Sequence, residues 1–184
     1  LPRPATEITL GFVMPAGDAI RDMNTWAGRP LPLSAAAHRG DTLYIRLAGS
    51  ESAVGAARAH LGGELIDDGG RFWSELREHR HGFFRTDRPL WRLSVPAAAP
   101  PLELPGEWLL DWGGAQRWLV SDAPADLIRR QAAAAGGYAT GFRPAAFSPL
   151  DEPRRRLHRQ LQAAFDPDGI FNTSLTAALL TTAV

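Results

Sequence analysis

Arg92 stands between two apolar residues in the run Pro89-Leu90-Trp91-Arg92-Leu93-Ser94-Val95-Pro96. Successive side chains of an extended segment point to opposite faces, so Arg92 faces away from both Trp91 and Leu93. A planar guanidinium near aromatics suits two-pronged capture of a small carboxylate. The plainer account is an arginine on the solvated face of an antiparallel sheet. Arg117, between Gln116 and Trp118, carries the same two readings. His79-Arg80-His81 places two imidazoles at i and i+2, which share a face only in an extended segment and could then begin a metal site. No third ligand is evident in the sequence, and solvated loop histidines are the simpler account. His158 reads as a surface residue, and Glu75 with Glu78 reads as a solvated helical pair rather than a catalytic dyad.

Other chemistries are excluded by what the chain lacks. It contains no cysteine, so thiol nucleophiles, disulfides and cysteine-ligated iron–sulfur clusters are ruled out within it. All 20 basic residues are arginine, which removes Schiff-base chemistry and a phosphate-loop lysine. No dinucleotide fingerprint or His-Glu-x-x-His motif occurs. The pairs Gly62-Gly63, Gly69-Gly70, Gly113-Gly114 and Gly136-Gly137 lack phosphate-loop spacing and read as turns and caps. A formal net charge of zero gives no general attraction to phosphate backbones, so nucleic acid is not an expected partner. The 184 residues suffice for one sizeable domain, and no apolar run approaches the roughly 20 residues of a membrane-spanning helix.

The elements that would position these residues follow from periodicity. Ile8, Leu10, Phe12 and Met14 alternate over 7–14, which predicts a half-buried strand. Ala19, Ile20, Met23 and Trp26 recur at helical spacing over 16–26. Strands are expected over 31–37 and 42–47 around a tight connection at 38–41, then a helix capped by Ser50 running to about Leu61, then a short strand at 64–66. This β-α-β-β-α-β order is the ferredoxin-like split pattern. A helix at 71–79 and an irregular basic segment lead to the Arg92 strand, and an Ala/Pro linker over 96–105 is expected to be extended or disordered. Trp108 to Val120 is two aromatic-rich runs joined by Gly113-Gly114, a hairpin signal holding three of the six tryptophans. A helix over 123–135, a strand over 138–142 and a helix over 153–165 complete the chain. In the last helix Leu157, Leu161, Ala164 and Phe165 share one face. No repeat of fixed period is visible, although the two halves share a loose strand-and-helix logic. The fold class is α+β, an antiparallel sheet with helices on one face.

Four blocks carry a resemblance. They are Met23-Asn24-Thr25-Trp26-Ala27-Gly28-Arg29-Pro30-Leu31-Pro32, the Arg92 run, Asp111-Trp112-Gly113-Gly114-Ala115-Gln116-Arg117-Trp118, and Ala164-Phe165-Asp166-Pro167-Asp168-Gly169-Ile170-Phe171-Asn172. Together they resemble, over nearly the whole chain, the C-terminal half of the FAD-binding E subunits of bacterial glycolate oxidases, within the FAD-linked oxidase family typified by vanillyl-alcohol oxidase.

The resemblance implies an N-terminal domain, absent from this chain, that holds most of the FAD. This chain would then be a single C-terminal cap domain over 1–184, whose sheet covers the flavin and the substrate. It implies that Asn172 approaches the flavin ring, although Thr173-Ser174 stands where the family has Pro-Gly. It also implies that glycolate is oxidised to glyoxylate within a multi-subunit complex, and the carboxylate-clamp reading of Arg92 then makes that residue the candidate for binding a small 2-hydroxy acid. The partners it implies are the D subunit and the iron–sulfur F subunit, and the location a cytoplasmic one, brought to the membrane only through the complex. The paired histidine metal ligands and Glu-His dipeptide of related dehydrogenases have no match here, which points to the D subunit as the seat of substrate chemistry. The rival is a ferredoxin-like ligand-binding or interaction module without redox activity.

Overall fold

The computed structural model describes residues 4–144 and 150–171. Strand β1, Thr6–Val13, sets Leu10 fully out of solvent. Pro15 precedes helix α1, Ala16–Ala27, which buries Ala19, Ile20 and Met23. Strands β2, Leu33–Arg39, and β3, Thr42–Gly49, form a hairpin closed at Gly40-Asp41, where Gly40 takes a φ of 59° that a side chain would disfavour. Helix α2, Glu51–Leu61, starts where the Ser50 hydroxyl accepts from the Ala53 N–H. The two-residue strand β4, Glu64–Leu65, closes this half and leads into helix α3, Gly69–Arg77.

The second half comprises β5, Leu90–Ser94, β6, Glu107–Asp111, β7, Gln116–Val120, helix α4, Ala125–Ala134, and β8, Tyr138–Arg143. Helix α5, Glu152–Phe165, follows. All eight strands lie in one antiparallel sheet of order β4-β1-β3-β2-β6-β7-β5-β8. The order exposes an internal symmetry. The first half runs 4-1-3-2, and the second, read from its own outer edge, runs β8-β5-β7-β6, again 4-1-3-2. The halves join through their second strands by two residue pairs, His38–Leu110 and Arg39–Leu109. The ferredoxin-like pattern read from residues 7–66 therefore occurs twice, once complete and once with the β5–β6 connection standing where α1 stands in the first half.

Alternation along the strands assigns the two faces. On one face α1 and α2 cover Leu10, Leu43, Ile45 and Leu47, while α4 covers Leu93, Leu119 and Ala139 through Ile128 and Ala132. Each large side chain so removed from water contributes roughly 1.5–3 kcal/mol. On the other face α3 and the turn after it lay Trp73, Leu76, Phe83 and Phe84 over Ala37, Leu90, Leu109, Trp118 and Val120. The Trp73 Nε1–H donates to the Thr9 hydroxyl at 2.9 Å, tying α3 to β1. Helices α1, α2 and α4 thus share the expected face, and α3 crosses the opposite one.

Two segments go beyond what periodicity predicts. The 96–105 connection packs down rather than remaining loose, with Leu104 only 7% exposed. What holds it is Arg117, which is fully buried on the α4 side of the sheet. Its guanidinium donates to the carbonyls of Gly114 (3.0 Å), Pro100 (2.7 Å) and Ala99. The apolar stripe of α5, by contrast, is exposed: no residue of that helix is buried.

Candidate functional site

The face that α3 covers is left open over the outer part of the second half. There β5 lies between β7 and β8, and Arg92 is in register with Trp118 on one side and Thr140 on the other. Trp91 and Leu93 turn into the α4 core, so Arg92 projects outward and is exposed, as alternation predicts. A register shift in the β5–β8 ladder leaves Phe142 as an extra residue between Gly141, opposite Trp91, and Arg143, opposite Leu90. Such a bulge re-aims side chains. Here it lays the Phe142 ring edge-on against Trp118 with centroids 5.0 Å apart, while Arg143 Nη2 donates to the Phe84 carbonyl at 2.7 Å.

The segment after α3 brings a group to this surface that the sequence did not associate with Arg92. His79 adopts a φ of 53°, unusual for a residue with a side chain. The left-handed turn sets its imidazole among three aromatic rings, 4.7 Å from Phe84, 4.9 Å from Trp118 and 5.3 Å from Phe142. Burial against them pushes the imidazole below its ordinary pKa, and the Arg143 and Arg92 guanidiniums push the same way against the opposing pull of Glu78. His79 is therefore a neutral imidazole at neutral pH, beside two cations, on an aromatic floor. Backbone strain of this kind concentrates at functional positions. Its only sequence signal was a histidine in a basic connection.

His81 does not join it. Its Nδ1 accepts from the Phe83 N–H at 3.2 Å, and its ring lies edge-on to Phe72 instead. The two histidines of His79-Arg80-His81 thus serve different places, and no group of three or more His, Asp or Glu among the described residues is arranged to hold a metal ion. Glu75 bonds Arg71 and Glu78 bonds Arg77, both at 2.8 Å, so this pair is spent on surface ion pairs. Arg117 faces the opposite side of the sheet from Arg92 and works inside the protein. Asn172 lies outside the described residues.

Farther along the same face a cleft of about 860 Å³ opens between α3 and the β6–β7 turn, lined by Arg46, Trp73, Arg77, Asp111 and Trp112 among others. Arg92, His79 and Arg143 do not line it. At its rim Trp112 is 72% exposed and left-handed, with a φ of 52°. Its N–H donates to the Asp111 carboxylate at 2.8 Å, and burial pushes that carboxyl up. The Asn24 amide fastens the turn from behind by donating to Gly113 and Ala97 carbonyls, both at 3.3 Å.

One glycine of each pair makes a close contact within the protein. A Cβ on Gly63 would strike the Phe12 ring, one on Gly69 the Thr9 side chain, one on Gly114 the Ala97 carbonyl and one on Gly137 the Ser94 carbonyl. These glycines permit close packing within the protein rather than approach to an anion. The donor set on the open face suits a small carboxylate or the edge of a flat aromatic ring.

No protein-family model matches the chain. The chain is 44% identical over 174 residues to glycolate oxidase subunit GlcE of Escherichia coli (strain K12), a match covering 94% of this chain. The chain spans about half the length of that curated relative, 49% of it. The resemblance carried by the four sequence blocks is borne out, and the extent of the match is consistent with a C-terminal half.

Proposed function

We propose that this homologue of half of a glycolate oxidase subunit is the cap domain of a flavin-dependent 2-hydroxy-acid dehydrogenase, which oxidises glycolate to glyoxylate as part of a complex. The observation that carries the proposal is the open face of the second half. There two guanidiniums and a neutral imidazole stand on an aromatic floor within a sheet that is otherwise covered by its own helices. In this reading an N-terminal domain, outside this chain, binds the adenine and diphosphate of FAD. FAD, when bound, supplies the two-electron acceptor.

The residues of this chain do the rest by binding and orienting. Arg92 receives the carboxylate of the acid, in the two-pronged geometry for which a guanidinium is suited. Arg143, held by its bond to the Phe84 carbonyl, adds a second positive charge beside it. The rings of Trp118, Phe142 and Phe84 exclude water, which strengthens the charge interaction. His79, lacking a charge of its own, leaves the two arginines as the cations that an anion meets. Asn172 is assigned to the flavin edge on the resemblance. The partners are assigned in the same way, as a D-type subunit and an iron–sulfur F-type subunit receiving electrons.

The test is purification of the full-length polypeptide, alone and with its partner subunits, followed by an absorption spectrum and a glycolate-dependent dye reduction assay. The proposal expects a flavin spectrum from the full-length polypeptide, turnover from the complex, and neither from residues 1–184 alone. Tight FAD binding and glycolate turnover by 1–184 alone would refute it, as would a full-length polypeptide without flavin.

A further inference from the structure

The seam between the two halves holds a cavity of about 480 Å³. Its origin is the short β2–β6 ladder. Past the Arg39–Leu109 pair β2 turns away at Gly40, whereas β6 reaches back to Glu107, so a notch opens at the end of the seam. Both faces of the sheet line it, Leu110 from the core under α1, and Tyr44 and Phe83 from the layer under α3. The charge of the lining is one-sided. Arg117 enters the wall as a fully buried cation whose three carbonyl bonds use three of its five N–H groups. Burial lowers its pKa, and no carboxylate acts the other way. Arg39 lines the cavity with its guanidinium 6.0 Å from the Phe83 ring centroid, and it has no ion-pair partner among the described residues. Ala16, the first residue of α1, lines it too. Pro15 gives that helix no side-chain cap, so the positive helix end lies at the same space. The nearby acids are already paired, Glu107 of the lining with Arg88 at 3.6 Å and Asp18 of α1 with Arg21 at 2.9 Å. His38, also in the wall, is 3% exposed, and its Nε2 lies 2.9 Å from the Met14 carbonyl. A carbonyl only accepts, so Nε2 carries the proton, and in the neutral ring Nδ1 is an acceptor. That Nδ1 has no partner among the described residues.

We propose that this cavity is a binding site for a small hydroxylated aromatic carboxylic acid. Arg39, Arg117 and the start of α1 supply the counter-charge that the carboxylate needs and that no side chain of the cavity provides to them. The hydroxyl donates to His38 Nδ1, a buried acceptor that otherwise forgoes a hydrogen bond. Trp108, Tyr44 and Phe83 give the ring aromatic walls, which a bare inorganic anion would leave unused. The volume lies within the roughly 300–1,000 Å³ common for small-molecule sites. The site is distinct from the open face, since Arg92, His79 and Arg143 do not line it. It makes no use of the flavin reading, and either can fail without the other.

Isothermal titration of the full-length polypeptide with 4-hydroxyphenylacetate, phenylacetate and 4-hydroxyphenylacetamide, at one ionic strength, tests it. The expected result is saturable one-to-one binding of 4-hydroxyphenylacetate with a Kd of about 1 mM or tighter, and binding at least roughly tenfold weaker for the other two. Phenylacetate lacks the hydroxyl and the amide lacks the charge, so the two losses read His38 and the cations separately. Arg39→Gln should weaken 4-hydroxyphenylacetate at least about tenfold, Arg39→Lys less, and Arg92→Ala not at all. Arg117 is left unchanged, because its loss would also release the 96–105 connection. His38→Phe should erase the difference between 4-hydroxyphenylacetate and phenylacetate. If that variant does not fold, the ¹⁵N shift of His38 Nδ1 in the unaltered protein reads the same contact, moving with 4-hydroxyphenylacetate and not with phenylacetate. Absence of saturation by about 20 mM overturns the proposal, as does equal affinity for the acid and its amide. So does an affinity unchanged in Arg39→Gln, or one lost in Arg92→Ala, which would place the acid on the open face instead. Inorganic phosphate competing at the same affinity would also overturn it, by reducing the cavity to a site for any anion.

Discussion

Replacing Arg117 with leucine removes the group that holds the β5–β6 connection in place. Arg117 is fully buried and its guanidinium serves three carbonyls, those of Gly114, Pro100 and Ala99. Leucine fills part of the volume but donates nothing, so the three carbonyls lose their partners, at about 1 kcal/mol or more each. Burial holds the guanidinium pKa down, which shows that the native charge bears a desolvation cost that leucine relieves. The net expectation is a loss of about 3 kcal/mol, measured by urea unfolding with circular dichroism. Arg117→Lys should be intermediate, because one ammonium on a flexible stem cannot serve three divergent carbonyls. Exchange at 97–101 should rise in Arg117→Leu more than exchange in β5 or β7. A loss under about 1 kcal/mol with an unchanged denaturant slope would refute the assignment of Arg117 as the anchor of the connection.

The remaining predictions concern the open face and the packing glycines. His79 should titrate below the ordinary value of about 6.5 in an NMR pH series, and Arg92→Ala should raise its midpoint by removing one of the repelling cations. A midpoint unmoved by Arg92→Ala would separate the two residues. Because the folded-state pKa is depressed, the unfolded chain takes the proton first, so the His79 contribution to stability is present above pH 6.5 and is lost as pH falls through the folded value. A pH series of urea midpoints on wild type and His79→Gln reads this as a smaller acid-side decline in the variant. Gly137→Ala should cost about 1–3 kcal/mol in thermal or urea unfolding, since its Cβ would sit 2.0 Å from the Ser94 carbonyl oxygen, a backbone atom. Gly55→Ala, in α2 with nothing within 4 Å of the new Cβ, should instead gain roughly 0.5–1 kcal/mol.

Elements with one clear period were legible from sequence. The alternation at Ile8, Leu10 and Phe12 and the helical spacing of Ala19, Ile20 and Met23 give β1 and α1 nearly to the residue. The same alternation turned Arg92 outward, and the paired glycines after Trp112 do take positive φ values, 65° and 93°. The seam between the halves was not legible. Only two residue pairs join β2 to β6, too few to leave a pattern, and the 4-1-3-2 repeat is masked by the loss of a helix from its second copy. Arg117 shows the limit of alternation, which assigned its face but could not tell that a proline-rich connection would fold over it. His79 shows another limit. Its place beside Arg92 depends on a left-handed backbone and a return path through Gly82–Phe84, neither of which has a periodic signature. The apolar stripe of α5 was plain in the sequence, but a stripe does not say what covers it.

The central claim is that the open face carrying Arg92 meets a bound 2-hydroxy acid next to flavin. It is tested most directly by titrating glycolate into the anaerobic full-length polypeptide, as wild type and as Arg92→Ala, and following the flavin absorption difference spectrum. The account predicts a saturable perturbation in wild type and a midpoint at least roughly tenfold higher in Arg92→Ala, the loss of one charge-assisted contact worth about 1.4 kcal/mol or more. Superimposable titrations of the two proteins would contradict it.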